Sequence, residues 1–206
     1  MRLPVLVLLI GVLFGPPALA QEASLWYLGA SFGGTKYDLD DRSRRIDEDL
    51  VFTGAAVTSA TTTRDDADSG LKVVFGYSAS RLIALELAYV NLGEAVLQTV
   101  TDTDIFVGPA EAHGWAFNVV ASLPLFAGLS IHVKGGPFQW KQEIEMPSVT
   151  GGTTVLTGKF DGFDWTAGAG IEWLFVEGLA LRIEAERYRV GDDDVDYYSS
   201  GLVFRF

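Results

Sequence analysis

From Trp26 to the end of the chain, apolar residues recur at every second position in segments of about ten residues, rich in Val, Leu, Ile and aromatics. Period two is the repeat of a β-strand, whose successive side chains point to opposite faces. The first segment places Trp26, Leu28, Ala30 and Phe32 on one face and Tyr27, Gly29, Ser31 and Gly33 on the other. The same split recurs in seven further segments. These begin near Leu71, Ile83, Gly114, Leu129, Trp165, Leu179 and Tyr198. The fifth segment runs into Gly135-Gly136-Pro137, where a missing N–H interrupts the ladder. A β-bulge is expected there, and the facing of Phe138 and Trp140 beyond it stays open.

The connections alternate in length. Ser78 to Arg81, Pro124 to Gly128 and Val176 to Gly178 are short, whereas Lys36 to Ser69, Glu94 to Glu111 and Lys141 to Asp161 are long. Eight antiparallel strands joined by short turns at one end and long loops at the other describe an all-β, up-and-down transmembrane barrel. An even strand count puts both termini at the short-turn end, which is periplasmic in such barrels, and leaves the long loops extracellular. Residues 21–206 form the expected single barrel domain, with no second domain after Phe206.

Residues 1–20 have the pattern of a cleaved signal peptide. Arg2 precedes an apolar run from Val5 to Phe14, and the segment closes on Ala18-Leu19-Ala20. The run is too short for a spanning helix, and Gly15-Pro16-Pro17 ends it. The mature chain then keeps 14 basic residues against 27 acidic ones, a net charge of about −13 that argues against nucleic acid as a partner. The chain has no cysteine, so its stability rests on burial and backbone pairing alone.

A soluble barrel of the lipocalin type turns its greasy face inward, so the position of the charges decides between the two arrangements. Lys72, Glu86, Lys134, Glu172, Arg182, Glu184 and Arg205 all fall opposite the large apolar residues, on the face that carries the strand glycines. A bore of eight strands is only wide enough for side chains, which suits small residues and paired charges. Lipid is therefore expected outside and a polar network of Lys72, Glu86, Lys134, Glu172, Arg182 and Glu184 inside. Within it, Glu86, Glu172 and Glu184 are expected to pair with Arg182, Lys134 and Lys72. Aromatics gather toward the strand ends. Trp26, Tyr77, Trp173 and Phe204 form one lipid-facing girdle, and Tyr89, Trp115, Trp165 and Tyr198 form the other.

Several stretches resemble the transmembrane domain of outer membrane protein A. They are Leu181-Arg182-Ile183-Glu184-Ala185-Glu186-Arg187-Tyr188, the ending Gly201-Leu202-Val203-Phe204-Arg205-Phe206, and Ala84-Leu85-Glu86-Leu87-Ala88-Tyr89 followed by Leu92-Gly93. Small barrels of the adhesion and invasion type share the closing strand. The resemblance implies a polar interior network in which Glu86, Glu172 and Arg182 take the places of the family's carboxylates and arginine. Val120 stands where the family has an interior lysine. The resemblance also implies that Phe206, with Phe204 and Tyr198 on the same face, is the C-terminal signal read by the barrel assembly machinery.

No cofactor, metal or catalytic group is expected. The only histidines are His113 and His132, and neither lies beside a serine motif of the kind a lipid-modifying hydrolase needs. Asp192-Asp193-Asp194 with Asp196 lacks the glycine spacing of a calcium loop and fits a solvated turn. Arg42, Arg44 and Arg45 in the first loop are placed to meet lipopolysaccharide phosphates, or to balance the acids around them. Leu50 to Val57 are apolar enough to extend strands above the membrane. The expected role is an outer-membrane structural and surface-interaction protein. Its loops would meet lipopolysaccharide, other cells, host molecules or phage in a Gram-negative outer membrane. The alternative is a narrow ion or water channel through the bore, and a lipid-modifying enzyme is the third reading.

Overall fold

The computed structural model describes residues 25–38, 60–65, 67–101, 105–147, 155–191 and 193–206. The expected signal peptide at 1–20, the arginines at 42, 44 and 45, and the apolar stretch 50–57 lie outside them. The described elements are β1 (Trp26–Asp38), β2 (Ala60–Asp65), β3 (Ala67–Ser78), β4 (Ile83–Thr101), β5 (Ile105–Pro124), β6 (Leu129–Pro147), β7 (Val155–Val176), β8 (Leu179–Val190) and β9 (Asp193–Arg205). All pairings are antiparallel. β2 and β3 follow one another along the same edge of β4, so they make one wall strand and the wall has eight.

Closure comes from two pairings. β1 pairs with β3 on one side and β9 on the other, and β4 pairs with β5, so the sheet has no free edge around its circumference. The ends of the chain lock this seam, with the Phe206 N–H donating to the Trp26 carbonyl at 2.9 Å. In hydrocarbon an unpaired N–H or C=O costs several kcal/mol, and closure is the only way a sheet avoids a row of them.

Alternation along the strands sets the two faces. Leu28, Phe75, Trp115, Phe117, Val133, Ile183 and Leu202 are exposed on the outside, while Lys72, Glu86, Asn118, Lys134 and Glu184 between them are buried inside. The short turns are tight. Glu177-Gly178 closes β7 to β8 with Gly178 at φ 75°, a conformation natural to glycine.

Two expectations need correction. The register of β6 with β5 and β7 is unshifted from Leu129 to Lys141, so there is no bulge at Gly135-Gly136-Pro137. Pro137 faces outward and only interrupts the ladder toward β5. Gly136 permits the close approach, since a Cβ there would overlap the Phe117 carbonyl oxygen. Register shifts do occur between Asn91 and Glu94 of β4 and between Leu174 and Val176 of β7, and the first marks the β4–β5 pair. There Gly93 has φ 76°, its N–H donates to Asn91 Oδ1 at 2.8 Å, and the Tyr37 hydroxyl lies 3.0 Å from the Leu92 carbonyl oxygen. Second, the long connections from 94 and 141 are largely strand. β4 and β5 continue to Thr101 and Ile105, and β6 and β7 to Pro147 and Val155, as paired arms beyond the wall.

Inside the wall, glycine makes room for large side chains from the neighbouring strand. The Tyr27 ring lies directly over Gly76, where a Cβ would fall within the ring. Gly76→Val is expected to displace Tyr27 and lower stability by about 1–3 kcal/mol, as overpacking does. Urea unfolding of the protein refolded in lipid vesicles measures this.

Candidate functional site

The bore contains two layers. Toward the short-turn end lies an ionic layer built from six strands. β3 contributes Lys72, β4 Glu86, β6 His132 and Lys134, β7 Glu172, β8 Arg182, Glu184 and Glu186, and β9 Arg205. Arg182 is the hub of its lower half. Its guanidinium lies 2.5 Å from Glu86 Oε1 and 2.7 Å from Glu172 Oε2, and Arg205 reaches the other Glu172 oxygen at 2.5 Å. The Tyr27 hydroxyl donates to Glu86 Oε1 at 2.9 Å, and its ring lies 5.5 Å beneath the Arg182 guanidinium carbon.

The upper half is organised by two glutamates one turn of the pleat apart on β8. Glu184 accepts from Lys72 at 2.5 Å, forms an ion pair with Lys134 at 2.8 Å, and lies 3.0 Å from His132 Nε2. Glu186 pairs with both lysines, with Lys134 at 2.7 Å, and accepts from the Tyr188 hydroxyl at 2.8 Å. The layer is electrically balanced. Lys72, Lys134, Arg182 and Arg205 face Glu86, Glu172, Glu184 and Glu186. Buried ions persist only when paired and hydrogen-bonded in this way.

The six residues singled out in the sequence all point into this layer, but their partners are more shared than one-to-one. Glu172 meets Arg182 and Arg205, and Lys134 comes no nearer than 3.7 Å to Glu86. Glu186, His132 and Tyr27 join them, and Glu186 carried a signal that was passed over: it continues the alternation of Arg182 and Glu184 on one strand. Val120 is buried directly across from Lys134 of β6.

Above the ions the interior changes character. Tyr37, Val90, Leu92, Ala112, Phe138, Trp140, Tyr188, Val190, Val195 and Tyr197 are all buried and pack into one apolar cluster. Phe138 meets Tyr188 edge to face at 4.9 Å. Trp140 donates its indole N–H to Asp164 Oδ2 at 2.8 Å, and the same oxygen accepts the Gly191 N–H at 2.9 Å, tying the β8–β9 turn to the cluster. This corrects the expectation of a light, polar inner face along the whole bore. Phe138 and Trp140, whose facing the sequence left open, both point inward.

On the outside, Trp26 stacks on Phe75 at 5.2 Å and touches Tyr77 at 4.7 Å, and Tyr89 meets Trp115 at 5.1 Å. Trp165, Trp173, Tyr198, Phe204 and Phe206 also face outward, each about half exposed. His113 lies on this outer surface, 6.3 Å from the Tyr89 ring. Among the described residues no cluster of His, Asp and Glu has the arrangement to hold a metal ion.

A closed eight-stranded wall, apolar outside and ionic inside, matches a known family across nearly the whole chain, for the model of the OmpA-like transmembrane domain fits residues 21–203. The chain belongs to that family. Solved structures similar in fold include Neisserial surface protein A, with TM-score 0.57 and 9% identity over 90% of this chain and 100% of that one. OprG from Pseudomonas aeruginosa is similar with TM-score 0.56 and 11% identity, over 89% of this chain and 97% of that one. Ail, the attachment invasion locus protein of Yersinia pestis, is similar with TM-score 0.53 and 11% identity, over 89% of this chain and 99% of that one. At these identities the likeness is one of fold. No curated protein matches the chain in sequence. Together the family and the fold make this a barrel of the Gram-negative outer membrane.

The ionic layer is expected to dominate stability. Glu184→Gln leaves Lys72 and Lys134 short of a buried carboxylate and is expected to cost about 3–5 kcal/mol. Glu143→Gln, in the exposed pair with Lys159, is expected to change stability by no more than about 1 kcal/mol. Paired denaturant titrations in vesicles check the contrast.

Proposed function

We propose that this protein is a surface-interaction and structural protein of the outer membrane, in which a rigid barrel anchors arms and loops that meet partners outside the cell. The observation that carries this reading is the filled interior. A balanced ionic layer and an apolar cluster occupy the bore, leaving the long-hairpin end as the part of the molecule free to engage partners. The reading takes residues 1–20 as a cleaved signal peptide, the termini and short turns as periplasmic, and the long hairpins as extracellular. Phe206, exposed beside Phe204 with ring centroids 6.1 Å apart, serves as the signal to the barrel assembly machinery. Lys72, Glu86, Lys134, Glu172, Arg182 and Glu184 hold the wall in shape. Trp26, Tyr89, Trp115, Trp165, Trp173, Tyr198 and Phe204 set its depth in the lipid.

The partners in this reading are lipopolysaccharide, host or neighbouring cell surfaces, or phage. Among proteins of similar fold, Ail has been solved in complex with the heparin analogue sucrose octasulfate. Catalysis has no place in the reading. His132 is committed to Glu184 inside the barrel, and His113 stands on the outer face beside an aromatic ring.

Replacing residues 39–59 by a short turn is expected to reduce binding to cells and to lipopolysaccharide vesicles at least tenfold, while the barrel folds as before. Equal binding by both forms refutes the assignment to that loop. The continuous layer of charges favours one second reading, a narrow ion or water channel. Planar-bilayer recordings decide it. Steps above leak that change with Arg182→Ala support the channel, and their absence removes it.

A further inference from the structure

The outer surface changes polarity at one point along each of six wall strands, and the inner surface changes in the opposite sense beside it. On β6 the outward residues run Ile131, Val133, Pro137 and then Gln139, Lys141, Glu143, while the inward ones run His132, Lys134 and then Phe138, Trp140. On β8 the outward series Leu181, Ile183, Ala185 gives way to Arg187 and Arg189. The inward series Arg182, Glu184, Glu186 gives way there to Tyr188 and Val190. β4 changes outward from Tyr89 to Asn91 as its interior passes from Glu86 and Ala88 to Val90 and Leu92. β5 changes between Trp115 and His113, and β9 between Tyr198 and Asp196, each with a matching inner change from Asn118 to Ala112 and from Ser199 to Tyr197 and Val195. β1 follows, with Phe32 outward below and Lys36 outward above it, between the buried Thr35 and Tyr37.

The parity of side chains does not change on β6, because its register runs through unshifted. What changes is the solvent each face is built for. A strand tilted about 45° crosses hydrocarbon in about 9–11 residues. β6 has 19 residues, and its outward apolar stretch from Leu129 to Pro137 accounts for one crossing alone. Beyond it the strand presents polar groups outward and mainly apolar groups inward, Phe138 and Trp140 followed by the buried Gln142, as a barrel in water does. Ion pairs mark the outer surface of that region, with Arg187 holding Asp196 at 2.6 Å and Lys159 holding Glu143 at 3.1 Å.

We infer that the hydrocarbon of the membrane ends at this switch, and that the wall beyond it is a water-soluble β-barrel with its own dry apolar core, which shuts the bore from the long-hairpin end. The inference rests on the outer-membrane placement of the barrel and not on any loop partner, so it stands or falls apart from the binding role. The molecule is then two barrels of opposite polarity sharing one set of strands. The lower is ionic inside and greasy outside; the upper is mainly apolar inside, with Thr35, Gln142 and Asp193 among its buried residues, and mainly polar outside, with Phe163 of β7 exposed beside Gln139.

Because the chain has no cysteine, a single substitution supplies a unique thiol. In protein refolded in phosphatidylcholine vesicles, a charged, membrane-impermeant maleimide reports where water reaches. Gln139→Cys, outward above the switch, is expected to react as a free thiol. Val133→Cys, outward below it, and Val195→Cys, inward above it, are expected to react at least about a hundredfold more slowly, since a thiol in apolar surroundings stays protonated and inert. Fast labelling of Val195→Cys in folded protein overturns the dry core, and a silent Gln139→Cys overturns the position of the membrane edge. A second measurement needs no new thiol. With the other four tryptophans changed to Phe, Trp140 is expected to escape quenching by both aqueous iodide and brominated lipid, while a variant keeping only Trp165 is quenched by the lipid. Quenching of Trp140 by iodide refutes the closed bore, and its quenching by brominated lipid refutes its placement above the membrane.

Discussion

The structure depends first on the closing of the sheet. A backbone in hydrocarbon has no water to bond to, so each N–H and C=O must find its partner within the wall. The β1–β9 seam and the β4–β5 pairing meet that demand around the circumference. Closure in turn creates the second constraint, for eight strands enclose a narrow space that side chains must fill. Large rings from one strand lie over glycines of the next, as Tyr27 does over Gly76. Strand glycines therefore serve packing inside the barrel rather than flexibility.

The filling divides by height. In the membrane the inner face holds ions, because the outer face is already committed to lipid and the enclosed charges compensate one another. Glu184 and Glu186 on β8 gather two lysines, Lys134 from β6 on one side and Lys72 from β3 on the other, and Arg182 gathers two carboxylates. Removing one member leaves its partners charged and without solvent, which is why the layer behaves as a unit. Above it the demand reverses, water lies outside and the interior becomes an ordinary apolar core. The Trp140 to Asp164 bond and the Gly191 N–H on the same carboxylate fasten that core to the turn above it. In the proposed function, a bore filled in this way suits an anchor more than a conduit, with the long-hairpin end as the working surface.

Much of this was legible in the chain, and the misses share a cause. The outward placement of Trp115, Trp165 and Tyr198, the strand count and the short turns all follow from local alternation, which registers a side chain's face without reference to other strands. At Gly135-Gly136-Pro137 local reasoning failed. Pro137 lacks the N–H that a ladder needs, and a bulge was the expected response to that gap. The register is continuous, and the inward facing of Phe138 and Trp140 reflects a new environment instead. The register shift at Leu92-Gly93 of β4 left only the faint mark of one glycine in a long strand.

Alone, the sequence determined which residues share a face, how many strands there are and which connections are short. A β-strand's repeat is exactly two residues, so each side chain's direction is encoded within its own segment. Tertiary structure alone decided which ions meet, for Lys72 and Glu186 stand 114 positions apart and are joined only when the sheet closes on itself. It also decided whether an apolar face looks toward lipid or toward a protein core. Alternation is the same in both cases, and only the position of the strand relative to the membrane distinguishes them.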